Sequence, residues 1–216
     1  MVTDTVTPPA NLAALIQAVD AAESAIALVQ AVRALAQAQH EAAVPTFIQV
    51  LGFNNPGAAV AAVDGLVALG PAAVPALLAQ LDGYNYGARA WAIRALALIG
   101  DPRALGILLD TARGDFALSA RRAAARGLGT LRWEAMAPAE VPAAQAEVLS
   151  VLTIAIADSE WVVRYAAIVG LAGLATALVD EAALLPTIRD CLMERLRRDP
   201  EVTVRARAQL ALAHLA

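Results

Sequence analysis

Apolar residues recur at three- and four-residue spacing along most of the chain. Trp91, Ala92, Ala95, Leu96 and Ile99 set the type. That spacing gathers apolar side chains on one face of a helix and fits no strand. A longer period lies over the short one. VPTFIQVLGFNNPGAAVAAVDGLVALG starts at Val44, and VPALLAQLDGYNYGARAWAIRALALIG starts thirty residues later at Val74. Leu51 then matches Leu81, Gly57 matches Gly87, Ala62 matches Ala92, Leu66 matches Leu96 and Gly70 matches Gly100. The second half returns as SARRAAARGLGTL from Ser119, VVRYAAIVGLAGL from Val162 and TVRARAQLALAHL from Thr203. Arg89, Arg121, Arg164 and Arg205 share one position in this register, Ala92, Ala124, Ala167 and Ala208 another, and Leu96, Leu128, Leu171 and Leu212 a third. The first half returns as Val141-Pro142 and Leu185-Pro186.

Local signals divide each period into two helices. Pro45, Pro75 and Pro142 suit a first helical turn, where a missing N–H costs nothing. Gly70 and Gly100 sit where a helix should stop. GFNNPG (52–57) and DGYNYG (82–87) read as turns between helices. Helix, turn, helix at a period of 30–40 residues is the pattern of an α-solenoid. The fold class expected is therefore all-α, with about five to six hairpins that resemble HEAT repeats, down to the Asp101-Pro102-Arg103 junction. We expect one domain over 1–216: an N-terminal cap to residue 40, regular repeats over 41–175 with an insertion near 132–141, and a C-terminal cap over 176–216.

Composition supports this and removes several alternatives. Alanine makes up about a quarter of the chain and aromatic residues 4%. Alanine favours helix and fills little volume, so helices can approach closely. One cysteine, Cys191, allows no internal disulfide, and two histidines, His40 and His214, build no zinc cluster, so no metal is expected. Mean hydropathy is +0.60. Yet the longest apolar run, Tyr165 to Val179, is fenced by Arg164 and Asp180 and falls short of the roughly 20 residues a span needs. The start, MVTDTVTPPANL, lacks a basic segment followed by an apolar one, so no secretory signal is expected. These features predict a cytoplasmic protein.

Charge is unevenly placed. All sixteen basic residues are arginine, which GC-rich codon usage explains, and the chain carries net −4. Residues 1–80 hold one arginine, Arg33, against five acids, whereas 84–132 hold eight against three, 8 − 3 = +5. A basic middle of that size attracts an anionic ligand or an acidic protein face. It is too local to indicate nucleic acid.

No phosphate-binding glycine loop and no GxSxG elbow is present. Cys191 falls at an apolar helical position in IRDCLMERL and reads as a core thiol. YNYGARAWAIR (84–94) packs rings and cations together in a ring-poor chain. Arg121, Arg122, Arg126, Arg132 and Trp133 follow one period later, and Trp161, Arg164 and Tyr165 one after that. Stacked repeats would set these side by side as an aromatic and cationic strip. Arginine forks grip carboxylates and Tyr and Trp supply flat contact area. A flat, conjugated dicarboxylate or an acidic helical face would fit. The equivalent arginines also have a structural reading, as a ladder to acids of the neighbouring repeat.

The stretch YNYGARAWAIRALALIGDPRALGILLDTARGDFALSARRAAARGLGTL (84–131) resembles the F (beta) subunit of the E/F-type phycobilin lyases of cyanobacteria. The resemblance implies a heterodimer with a larger HEAT-repeat E (alpha) subunit, no activity alone, and no tightly bound cofactor. It implies attachment of phycocyanobilin to a cysteine of the phycocyanin alpha subunit as a thioether, and members also detach or transfer bilin. The nucleophile would belong to the acceptor. On this reading Arg89, Arg94, Arg121, Arg122 and Arg126 hold propionates, while Tyr84, Tyr86 and Trp91 shelter the chromophore. Asp101 or Asp115 would bond pyrrole N–H groups or relay a proton. The alternatives are a non-catalytic HEAT-repeat adaptor for phycobiliproteins and a scaffold unrelated to pigments.

Overall fold

The computed structural model describes residues 10–82, 86–178 and 181–215. Among them are twelve α-helices and no strand. Five pairs pack as hairpins: α1 (Ala10–Asp20) with α2 (Ala25–Gln37), α3 (Val44–Leu51) with α4 (Pro56–Leu69), α7 (Leu105–Gly114) with α8 (Leu118–Gly127), α9 (Val141–Ala155) with α10 (Trp161–Thr176), and α11 (Glu181–Arg198) with α12 (Val202–His214); α5 (Val74–Ala79) and α6 (Tyr86–Ile99) stand between the second and third pairs in chain order. The all-α hairpin repeat read from the periodicity is the fold observed. The chain divides into two compact units, 1–95 and 96–216, with the boundary inside α6.

In the first unit α2 packs on α1 and α4, and α3 packs on α4 and α5. Val32, Leu35, Phe47, Val50, Ala62 and Leu66 are fully buried there. A glycine makes room for the one large ring: a Cβ on Gly65 would lie 2.7 Å from the Phe47 ring. The cap residues are neutral. Ser24 Oγ accepts from the Ala27 N–H at 3.1 Å to start α2, and Asn55 Oδ1 accepts from the Ala58 N–H at 3.1 Å to start α4. Asn55 also reaches sideways, its Nδ2 donating to the Ala25 carbonyl at 3.0 Å. The stretch Pro56–Ala79 is long and apolar enough to cross a membrane by composition alone. It is broken at Gly70, whose φ of 62° ends α4.

In the second unit the helices form two layers. First helices α7, α9 and α11 adjoin in one layer, and second helices α8, α10 and α12 in the other. The repeat register holds: Ala124, Ala167 and Ala208 are fully buried, as are Leu128 and Leu171. Backbones touch where side chains vanish. A Cβ on Gly170 would lie 2.3 Å from the Ala125 carbonyl oxygen, and one on Gly129 would lie 2.2 Å from that of Gly170. Gly100 turns with φ 69° and its carbonyl receives the Arg132 N–H at 2.8 Å. The segment expected as an insertion folds at Trp133–Ala135 into a single 3-10 turn, with Trp133 buried.

The three prolines expected in first turns are there, in α3, α5 and α9. Pro186 differs: α11 begins before it, at Glu181, and carries it inside the helix.

Candidate functional site

Arg121, Arg164 and Arg205 of the second unit share one set of backbone bonds, and the first two add a carboxylate, which sorts structural cations from available ones. Each stands at the fourth residue of a second helix. Arg121 Nη1 donates to the carbonyls of Asp115 and Phe116 at 2.7 and 3.3 Å. Its other edge grips Asp158 of the next hairpin, Nε to Oδ2 at 2.8 Å and Nη2 to Oδ1 at 3.2 Å. Arg164 does the same, to the carbonyls of Asp158 and Ser159 and to both oxygens of Asp199, at 2.8–3.0 Å. Each aspartate also accepts a backbone N–H two residues on, Asp158 from Glu160 and Asp199 from Glu201. The result is an unbroken chain of joints along α8, α10 and α12.

The ionisation of the acids follows from these contacts. Burial pushes the Asp158 carboxyl up, but the Arg121 fork, the Glu160 N–H and the arginine charge outweigh it, and the pKa falls below its ordinary value. Asp199 behaves alike, with burial opposed by Arg164, the Glu201 N–H and the charge of Arg195. The pKa of Arg121 is raised by the bond to Asp158. These pairs are fixed ions at neutral pH.

Two expectations change as a consequence. Arg121 belongs to the ladder: all three of its nitrogens are engaged inside the protein, so it offers no fork to a ligand. Asp101 is a carboxylate held by Arg103. Its carboxylate takes the Arg103 side chain at 2.9 and 2.8 Å and the Arg103 N–H at 2.9 Å, with Arg132 at 3.6 Å. The Arg103 bond holds its pKa low against burial. Asp115 caps the end of α7, and its Oδ1 accepts from the Ala117 N–H at 2.9 Å in the turn to α8.

Of the remaining predicted residues, Tyr84 lies outside the described residues. Tyr86, expected in a turn, is the first residue of α6 and 62% exposed. Trp91 is half-buried, and the Arg94 guanidinium lies 5.7 Å from its ring centroid, in cation–π contact. Arg89, half-buried, holds the ladder position of its helix. All four stand in the first unit. Arg122 and Arg126, in the second, are exposed one turn apart on α8, and among the described residues neither meets a carboxylate.

The exposed stripe of each second helix begins three residues before the ladder arginine and advances by four. On α8 it is Leu118, Arg122 and Arg126; on α10 it is Trp161 and Tyr165, followed by the half-buried Val169; on α12 it is Val202, Ala206 and Leu210. Because α8, α10 and α12 pack in sequence and are stapled at this end, equivalent residues stand in register. A cationic stripe therefore runs beside an aromatic one. None of these nine residues is acidic.

Comparison with known proteins gives this surface its context. A family model for HEAT repeats matches residues 55–129 and 74–172, and one for the PBS lyase HEAT-like repeat matches 27–53. The chain is 51% identical over 201 residues to the phycocyanin alpha phycocyanobilin lyase CpcF of Synechocystis, covering 93% of this chain and 92% of that protein. It is 50% identical to the phycocyanobilin lyase subunit beta of Thermosynechococcus vestitus, covering 94% and 95%. The chain belongs to the phycocyanobilin lyase beta-subunit family. Among solved structures it is similar to a chain of the complex of CpcE and CpcF of phycocyanin lyase from Nostoc, with a TM-score of 0.73, 51% identity, and coverage of 79% of this chain and 98% of that one. A designed armadillo repeat protein, TM-score 0.54 at 17% identity, shares the helical-repeat fold alone.

Within this member of the lyase beta-subunit family, sequence reasoning named the ladder arginines and missed their acids. The signal is present: Asp115, Asp158 and Asp199 each precede a ladder arginine by six residues. Trp161 and Tyr165, expected in the aromatic and cationic strip, are both exposed on α10. Their spacing of four puts them on one stripe of that helix.

Proposed function

We propose that this chain is the beta subunit of a two-chain lyase that joins phycocyanobilin to a cysteine of the phycocyanin alpha subunit, together with a larger helical-repeat alpha subunit. The observation that carries this reading is identity at half of all positions over more than nine-tenths of both chains with proteins of that name. A cytoplasmic location goes with it.

The acceptor thiol adds across the ring-A ethylidene of the bilin. A C–S bond forms, the exocyclic double bond is consumed, and the proton lost by the thiol is the one gained at carbon. The balance requires no oxidant and no nucleophile from this chain. Its own thiol, Cys191, is half-buried in α11 with the Thr153 hydroxyl 4.0 Å away. What this chain supplies is position. Arg122 and Arg126 hold the two propionates, each by a charged fork. Trp161 and Tyr165, one helix over, lie against the tetrapyrrole, and Leu118 closes the edge. Tyr86, Trp91 and Arg94 form a second aromatic and cationic patch in the first unit for the same class of ligand. Fixing bilin and thiol together converts a bimolecular encounter into an effectively unimolecular one.

The test combines this chain, the alpha subunit, phycocyanobilin and apo-acceptor, and reads the covalent adduct by zinc-induced fluorescence. The double variant Arg122→Ala, Arg126→Ala should attach bilin at least about tenfold more slowly, since two charged hydrogen-bonded contacts are lost. Trp161→Ala should slow it several-fold. No adduct from the wild-type mixture refutes the activity; an undiminished rate in the double variant refutes the site.

A further inference from the structure

Among the described residues the ladder is open at Arg205. Arg205 reproduces the inner half of the pattern: Nη1 donates to the Asp199 carbonyl at 2.7 Å and the Pro200 carbonyl at 2.9 Å. Those two bonds set the guanidinium as in Arg121 and Arg164. The Nε and Nη2 edge, which in both earlier rungs grips the aspartate of the next hairpin, meets no carboxylate among the described residues. The surrounding segment is less acidic than the rest of the chain. Residues 181–215 hold six arginines against five acids, 6 − 5 = +1, where the whole chain is −4. The helix face changes as well. Ala125 and Ile168 hold the position four past the ladder arginine and are fully buried, whereas Gln209 holds it in α12 and is exposed. This edge therefore presents a preset cation and an amide where the inner hairpins present an apolar surface.

We propose that this edge of α12 is a docking site for the alpha subunit, which completes the ladder by presenting a carboxylate from the start of one of its helices to Arg205. The proposal rests on the heterodimer stated above. A guanidinium already fixed by two carbonyls loses little freedom when a carboxylate arrives, so the fork adds to affinity more than a mobile arginine would. A half-exposed ion pair is screened by salt, so the complex should weaken as ionic strength rises.

The experiment titrates the full chain with the alpha subunit at low and high salt, using wild type, Arg205→Glu and Arg205→Gln. Gln retains a donor for the Asp199 carbonyl, so it separates loss of the fork from loss of the cap, and melting of each chain alone checks folding. We expect the dissociation constant to rise about tenfold or more in Arg205→Glu and less in Arg205→Gln, with a flatter salt dependence in both. A folded Arg205→Gln chain that binds with wild-type affinity and wild-type salt dependence overturns the proposal while leaving the heterodimer intact. A wild-type chain that forms no complex overturns both.

Discussion

The two units fasten neighbouring second helices by different chemistry. In the first, Asn55 of α4 bonds the Ala25 carbonyl of α2, a neutral joint. In the second, Arg121–Asp158 and Arg164–Asp199 join α8 to α10 and α10 to α12 with paired charges. The exposed stripes differ in parallel: α4 shows Pro56, Val60 and Asp64, whereas α8 shows Leu118, Arg122 and Arg126. One helical-repeat plan thus accepts either kind of joint. An arginine-rich repeat consequently holds two populations, one immobilised one turn into the helix and one free on its outer stripe. Arg121 and Arg164 are of the first kind, with forks filled by Asp158 and Asp199; Arg122 and Arg126 are of the second.

The ion-pair joint is the costlier to break. In Arg164→Ala the Asp199 carboxylate, whose side chain is 0% exposed, keeps its burial and loses its fork. We expect a loss of about 3 kcal/mol in chemical denaturation, because a stranded buried charge is strongly destabilising. Arg121→Ala, at a pair that is 14% and 12% exposed, should cost less, about 2 kcal/mol. If Arg164→Ala costs no more than Arg121→Ala, burial does not govern the strength of the joint.

Packing offers a second contrast. Gly170 faces backbone, with a Cβ 2.3 Å from the Ala125 oxygen, and Gly65 faces the Phe47 ring at 2.7 Å. A ring can tilt and a backbone carbonyl in a helix moves only with its helix. Gly170→Ala should cost about 2–3 kcal/mol and Gly65→Ala about 1 kcal/mol, read as midpoint shifts in denaturant. The reverse order would mean that the α8–α10 contact yields more readily than the Phe47 pocket.

Much of this was legible in the sequence because repeats print their register. Ala92, Ala124, Ala167 and Ala208, aligned by period alone, are all fully buried. Gly70 and Gly100, placed as helix stops, carry positive φ. The function of individual arginines was less legible. Arg121 and Arg122 are adjacent and chemically identical, and only the helical phase relative to Asp158 decides which is held. The start of α11 before Pro186 was also hidden. Proline costs little within the first helical turn but breaks a bond deeper in, so its place in a helix depends on packing that sequence does not state.

Acid separates the joints next. The pKa values of Asp158 and Asp199 are lower in the folded protein than their ordinary 3.8. Their contribution to stability is therefore complete above about pH 4 and disappears as pH falls through the lower folded values. Asp101, also lowered, adds to it in the same unit. Asn55 and Ser24 do not titrate. Amide exchange followed while pH is lowered should show α8, α10 and α12 losing protection ahead of α2 and α4. Equal loss in both sets would mean that the ladder carries no net pH-dependent stability.

The smallest effect expected is at the neutral joint. Asn55→Ala removes the part-buried N-cap bond to Ala58 and the exposed bond to the Ala25 carbonyl, where water replaces the lost partner. A cap is worth about 1 kcal/mol, and the solvated second bond adds little. Asn55→Asp separates the two contributions, because a carboxylate still caps α4 but cannot donate to Ala25. That variant should lie within about 0.5 kcal/mol of wild type, near the natural equivalence of Asn and Asp as caps. If Asn55→Asp is instead as damaging as Asn55→Ala, the bond between helices is the working part. The neutral joint would then resemble the charged one in function, differing only in its indifference to pH.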